Sequence, residues 1–292
     1  MKILLDTDIG TDIDDAVALA YLLGQPSAEL LGITTVSGSA PQRAMIASAQ
    51  CRAVSRSIPI YPGLERPLII DPIQQTAPQA AALSRWPHDR LFPQGQAIEF
   101  LRRTIRQHPG EITLLAIGQL TNIAVLFTLD PEIPHLLKQL VMMNGAFLKP
   151  DRIPEYNNML DPHAAAIVWR APVPRVRSVG LDVTLQVTMP AGDVRARFHG
   201  ALLEPVLDFA EVWFQSRAEI TFHDPLAAAT LFDERVCVFQ RGRVSVDLNP
   251  GPELGQTSWR ADDAGNHAIA TEVDAPHFLE HFFRIVQNGA HA

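Results

Sequence analysis

Five carboxylates crowd into ten residues near the start of the chain, in the run Asp6-Thr7-Asp8-Ile9-Gly10-Thr11-Asp12-Ile13-Asp14-Asp15. A helix N-terminus favours negative charge by only about 0.3–1 kcal/mol per group, so one or two carboxylates exhaust that benefit. Five together repel one another unless a cation neutralises them. A hard divalent cation with oxygen ligands is the natural partner, and calcium, which takes roughly six to eight oxygens, suits the donor set. Gly10 supplies the freedom a tight turn needs. The spacing is not that of an EF-hand, and the closing Glu of that loop is missing. The plain alternative is a solvated capping turn.

Three other groups offer chemistry, each with an ordinary explanation beside it. Phe222-His223-Asp224-Pro225 carries an imidazole and a carboxylate. Asp before Pro is also a standard way to open a helix, with Asp as N-cap and Pro in the first turn. Asp130-Pro131 and Asp161-Pro162 have the same form. Glu155-Tyr156-Asn157-Asn158 provides acceptors and donors suited to hydroxyl groups. Gly118-Gln119-Leu120-Thr121-Asn122 either brings backbone to a ligand or makes a simple capped turn. His277 and His281 are four apart and could share a metal, although surface neighbours of this kind are common.

These groups need a scaffold, and the hydrophobic pattern supplies one. Lys2–Leu5 reads as a strand before the acidic turn, Ala16–Leu23 as a helix stopped by Gly24, and Glu29–Val36 as a second strand. A strand–helix–strand opening implies a parallel sheet. Further strands are expected at Ile112–Ile117, Leu140–Met143 and Val176–Leu181. Helices are expected at Asn122–Leu129, from Asp161-Pro162 to Trp169, from Asp224-Pro225 to Leu231, and at Pro276–Gln287. Ile58–Gly95 holds seven prolines and reads as a long irregular connection, either a lid or a passive surface loop. No repeat or linker divides the chain. The expectation is one α/β domain over residues 1–292, an open, mostly parallel, Rossmann-like sheet flanked by helices. Chemistry belongs at the C-terminal ends of its strands.

The 292 residues are 47% hydrophobic, enough for a large core, and the formal net charge of −8 argues against a broad nucleic-acid surface. Cys51 and Cys237 fit neither a disulfide framework nor a metal-ligand spacing. The opening MKILLDTD lacks the apolar core of a signal peptide, and no apolar run reaches the roughly 18–20 residues needed to cross a bilayer. A cytoplasmic protein without membrane or nucleic-acid partners is expected.

Taken together, the segments resemble the inosine-uridine nucleoside hydrolase family over nearly the whole chain. LLDTDIGTDIDDAVALAYLL, ELLGITTVSG, ITLLAIGQLTNIA, EYNNMLDPHAA, VGLDVT and FHDPLAAA look like six of its blocks in the family's order. The resemblance implies the nucleoside hydrolase fold, calcium as cofactor, a small riboside as substrate and a homo-oligomer, dimer or tetramer. By motif, the calcium ligands would be Asp8, Asp15, Asp224 and the Ile117 carbonyl. Asp14, Asn157 and Asp224 would hold the ribose 2′- and 3′-hydroxyls, Glu155 the 5′-hydroxyl, and His223 would lie near the leaving base. The sequence departs from the pattern in places. The acidic turn is two residues longer, so Asp12 is extra: it could take over the role of Asp14 or Asp15, or merely crowd the rim. Ser39 stands where an Asn contact is expected. The loop before Glu155 is short and shows Lys149 or Asp151 in place of an Asn. The base-side loop survives only as WPHDRLF, with His88. These changes fall on base and 5′ recognition, so weak or unusual activity on inosine and uridine is expected.

The implied chemistry passes through an oxocarbenium-like state. Asp8 would take a proton from water whose pKa the calcium lowers, and His223 would assist the departing base. Two rivals compete. Asp6-Thr7-Asp8-Ile9-Gly10-Thr11 also resembles the start of a haloacid-dehalogenase-like phosphatase, with Asp6 as nucleophile. Lys138 and Asp262-Asp263 match that family poorly, and it leaves the FHDP and EYNN segments unexplained. The other rival is a non-catalytic ribose-binding module that keeps the metal site.

Overall fold

The computed structural model describes residues 1–148 and 154–288. Among them the strands are β1 (Lys2–Thr7), β2 (Glu29–Thr35), β3 (Ile60–Pro62), β4 (Ile112–Ala116), β5 (Gln139–Met143), β6 (Val176–Val179), β7 (Thr188–Pro190), β8 (Glu219–Thr221), β9 (Cys237–Val246), β10 (Thr257–Ala261) and β11 (His267–Val273). The helices are α1 (Asp14–Gly24), α2 (Ala40–Ala53), α3 (Ala97–Gln107), α4 (Thr121–Leu129), α5 (Ile133–Leu136), α6 (Tyr156–Leu160), α7 (Pro162–Arg170), α8 (Leu181–Thr184), α9 (Ala191–Arg197), α10 (Glu204–Trp213), α11 (His223–Ala229) and α12 (Ala275–Asn288).

Nine strands form one sheet in the order β10-β9-β11-β6-β5-β4-β1-β2-β3. From β11 to β3 all neighbours run parallel, and the β9 hairpin partners at the far edge are antiparallel. The mostly parallel α/β sheet expected from the sequence is therefore present. The chain builds outward from β1 through β2 to β3, then crosses to β4 and continues the other way. The crevice between β1 and β4 is thus a topological switch point, where loops diverge and ligands bind in open α/β sheets. The acidic turn leaves β1 there, and the Gly118 turn leaves β4.

The sheet is covered on both faces, as continuous apolar strands such as the fully buried β4 require. Alternation within β1 shows the two layers: Ile3 and Leu5 join the core that includes α1, α10, α11 and α12, while Leu4 joins the core under α3, α4 and α7. Helix α3 buries Phe100, Leu101, Thr104 and Ile105 and turns its arginines outward, the pattern of an amphipathic surface helix. Every residue of α1 is buried, including Asp14 and Asp15.

Several local expectations shift. The first helix starts at Asp14, so two of the five carboxylates sit on its first turn. The strand expected over Val176–Leu181 ends at Val179, because Gly180 packs against Gly145 and Phe147, where a side chain would collide, and the chain turns into α8. The connection around residues 58–95 is less irregular than expected, holding edge strand β3 and a 3-10 helix, Pro78–Arg85. Cys51 and Cys237 are free and buried. Among the described residues, no helix is long and apolar enough to cross a membrane.

Candidate active site

A cavity of about 320 Å³ opens at the switch point. The sequence-derived candidates Asp8, Asp14, Asp15, Ile117, Glu155, Asn157, His223 and Asp224 all line it. Asp14, Asp15 and Asp224, all buried, bring carboxylate oxygens within 4.8 Å of one another. Asp14 and Asp15 come from the first turn of α1, and Asp224 from the first turn of α11, which packs against α1.

The three Asp-Pro pairs behave differently. Asp161 caps α7, accepting from the Ala164 amide. Asp130 pairs with Arg106 at 2.7 Å. Asp224 does not cap its helix: Phe222 takes the cap position without a side-chain bond, and α11 has begun by His223. The Asp224 carboxylate is left for the acidic cluster. Its backbone amide donates to Asp14 Oδ2 at 3.2 Å.

Asp8 shares the cavity, and Gln74 Nε2 donates to its Oδ2 at 2.6 Å. Gly118 makes room for it, since a Cβ there would lie 2.6 Å from Asp8 Oδ1. Asn157 Nδ2 donates to the carbonyls of Ile117 at 3.0 Å and Met143 at 3.1 Å, which fixes the orientation of the amide. Glu155 caps α6: Oε1 accepts from the Asn157 amide, and Oε2 from the amides of Gly145 and Asn158. A carboxylate has about four acceptor sites, so one remains for a ligand hydroxyl. Thr184 Oγ1 and His223 Nδ1 are 2.7 Å apart.

Burial pushes Asp8, Asp14, Asp15 and Asp224 above the ordinary carboxylate range, and mutual repulsion pushes Asp14, Asp15 and Asp224 further. Asp12, also on the cavity wall, rises to about 6 through burial, opposed in part by Arg217. Burial raises Glu155 to about 7 and lowers His223 to about 4, so the imidazole is neutral at physiological pH. Convergent, buried, all-oxygen donors that resist their own ionisation fit a hard divalent cation. Asp14, expected only to hold sugar, belongs to the same cluster.

Other candidates lie elsewhere. Ser39 is not on the cavity wall; its hydroxyl donates to the Gln75 carbonyl at 3.1 Å. His88 Nδ1 sits 2.7 Å from the Trp86 carbonyl, away from the cavity. His277 and His281 both approach Asp233 Oδ2, at 2.9 and 3.5 Å, in an ion-pair network. Lys149 and Asp151 lie outside the described residues. Asp6, the nucleophile a phosphatase would need, is fully buried off the cavity; its Oδ1 accepts from Thr34 Oγ1 and Asn122 Nδ2.

Sequence reasoning missed Thr11, Gln74, Met143, Tyr156, Leu181, Trp213 and Arg217 on the cavity wall. Tyr156 stood inside a segment already singled out. So did Thr11, in the acidic turn, and Leu181, in the VGLDVT segment; the others had no local signal, because distant elements bring them in. Arg217 lies over the Trp213 ring, 5.3 Å from its centroid, within the roughly 6 Å reach of a cation–π contact.

Comparison with known proteins identifies the family and agrees with the fold. A family profile described as inosine-uridine preferring nucleoside hydrolase matches residues 3–280. The pyrimidine-specific ribonucleoside hydrolase RihB of Escherichia coli is 31% identical over 275 residues, covering 88% of this chain and 86% of that protein. A Schizosaccharomyces pombe protein without assigned activity is 38% identical over 198 residues, 64% of this chain and 63% of its own length. The solved purine-preferring ribonucleoside hydrolase of Gardnerella vaginalis superposes with a TM-score of 0.86 at 26% identity, covering 100% of both chains.

Proposed function

Because the chain belongs to the inosine-uridine preferring nucleoside hydrolase family, we propose that it hydrolyses the base–ribose bond of a ribonucleoside in this cavity, with calcium as cofactor. The observation that carries the reading is the convergence of Asp14, Asp15 and Asp224 beside Asp8 and Asn157. Calcium would be held by Asp8, Asp15, Asp224 and the Ile117 carbonyl, with Asp14 close enough to join them. When bound, it supplies Lewis acidity toward water and the sugar hydroxyls.

The protein groups divide the remaining work. Asp8 accepts a proton from the attacking water, held in place by Gln74. Asp14, Asn157 and Asp224 hold the 2′- and 3′-hydroxyls, which orients the ribose for an oxocarbenium-like transition state. Glu155 offers its remaining acceptor site to the 5′-hydroxyl. His223, neutral in the resting site, donates an N–H to the leaving base as negative charge grows on it. The unpaired cysteines suit a reducing cytoplasm.

The test is free-ribose release from a panel of purine and pyrimidine ribonucleosides, with and without chelator. Chelator-sensitive ribose release is expected. Tight riboside binding without release would instead identify a binding module, and phosphate release from a phosphomonoester a phosphatase.

A further inference from the structure

Five consecutive backbone carbonyls in the acidic turn are all taken by two side chains and one amide from outside it. The carbonyls of Asp8 and Ile9 accept from Arg43 Nη1, the latter at 3.1 Å. The Gly10 carbonyl accepts from the Gln79 amide at 3.1 Å. The carbonyls of Thr11 and Asp12 accept from Gln79 Nε2 at 3.2 and 2.8 Å. Arg43 is fully buried, and its other nitrogens donate to the Gly38 and Thr76 carbonyls at 2.8 and 2.9 Å. Gln79 is also fully buried, and its Oε1 has no partner among the described residues. Its side chain is used purely as a donor.

We propose that Arg43 and Gln79 are positioning residues for the reaction, which aim the carboxylates of the acidic turn by holding its backbone carbonyls. A turn of this length has several ways to arrange its peptide groups. Flipping one peptide swings the neighbouring side chains, and Asp8 and Asp12 are side chains of this turn that line the cavity. With all five carbonyls held, the peptides cannot flip and the side chains between them keep their directions. Gly10, at φ +118°, is the one residue of this stretch in a backbone region that other side chains rarely adopt. Residues 8–12 are thereby built into the floor instead of looping out from it. The inference rests on the carboxylate floor being a cation-dependent hydrolytic site.

The test compares the native chain with Gln79→Leu, Arg43→Lys and a control, Leu101→Ala, in the core on the other face of the sheet. The readouts are calcium affinity by calorimetry, kcat and KM on a cleaved ribonucleoside, and the melting temperature. Gln79→Leu should fold, weaken calcium binding and lower kcat, each by roughly 10-fold, in the range seen when groups supporting metal ligands are lost. Arg43→Lys keeps the charge but loses the fork, and should show the same pattern. Leu101→Ala should lower the melting temperature at least as much while leaving calcium affinity unchanged. The proposal is overturned if Gln79→Leu and Arg43→Lys bind calcium as the native chain does, if the control loses affinity equally, or if the native chain takes up no calcium. A native chain that releases no ribose while Gln79→Leu still loses calcium affinity would sink the hydrolase reading and the kcat part of this one, leaving Arg43 and Gln79 as positioning residues of a cation site.

Discussion

The backbone amide of Asp224 donates to Asp14 Oδ2 at 3.2 Å, joining residues 210 positions apart at the centre of the acidic cluster. This bond sets the separation of the two helix starts and so the size of the site between them. Purified protein should carry about one calcium per chain in that all-oxygen site. Asp15→Ala should lose the ion and most activity together. Zinc by elemental analysis, or full activity in a metal-free preparation, would reject the assignment.

Asp8 has two roles in the proposed reaction, ligand and proton acceptor, and they separate on substitution. Asn keeps an oxygen for the cation but cannot take a proton at neutral pH. Asp8→Asn should therefore retain substantial calcium binding while kcat falls by at least about 100-fold. Calorimetry and steady-state kinetics on the same preparation check this. Near-native kcat would hand the proton to another group, and Asp12, on the same cavity wall, is the first to examine.

Burial keeps His223 neutral at physiological pH, so in the proposed reaction its contribution would be a hydrogen bond to the leaving base and not a pre-formed imidazolium. His223→Ala should slow natural nucleosides by roughly 100-fold, the low end of the range for a lost proton donor. A nitrophenyl riboside, whose leaving group needs no proton, should be cleaved at close to the native rate. Equal loss on both substrates would make His223 an orienting or packing residue.

His267 gives a pH signature independent of the catalytic floor. It is buried, its Nδ1 accepts from the Val244 amide at 2.9 Å, and burial lowers its pKa to about 4. The unfolded imidazole titrates near about 6.5, so the unfolded chain binds the extra proton between these values. Stability from neutral His267 is fully present above about pH 6.5 and is lost as the pH falls toward about 4. The melting-temperature gap between native protein and His267→Asn, which cannot titrate, should be widest near neutrality and shrink on acidification. A gap that does not change with pH would show that the imidazole charges freely in the fold.

The parts of the site legible in the sequence were those whose chemistry is concentrated locally. The acidic turn, EYNN and FHDP carry their signal in adjacent residues, and the parallel sheet follows from strand–helix alternation. Asp224 could not be told from an ordinary cap by its neighbours, since Asp161-Pro162 has the same form and does cap its helix. Arg43, Gln74 and Gln79 were invisible because their role is set by contact with residues 32 to 68 positions away. The antiparallel edge did have a cue, the buried–exposed alternation around Val244 and Val246, which the apolar-run reading passed over.

The stitching of residues 74–79 to the acidic turn limits how this enzyme can move. Gln74 holds Asp8, Gln79 holds the turn, and the Gly38 amide donates to the Gln74 carbonyl at 3.1 Å. A swinging lid must be able to lift while the floor beneath it stays assembled. Here, lifting this segment would pull apart the floor itself, so cover and floor open only as one cooperative unit. Among the described residues, Tyr156 and Arg217 stand exposed beside the half-buried Trp213 at the cavity rim, where nucleoside would enter and ribose leave in the proposed reaction. Slow product departure, where it limits turnover, would then be governed by the stiffness of that rim.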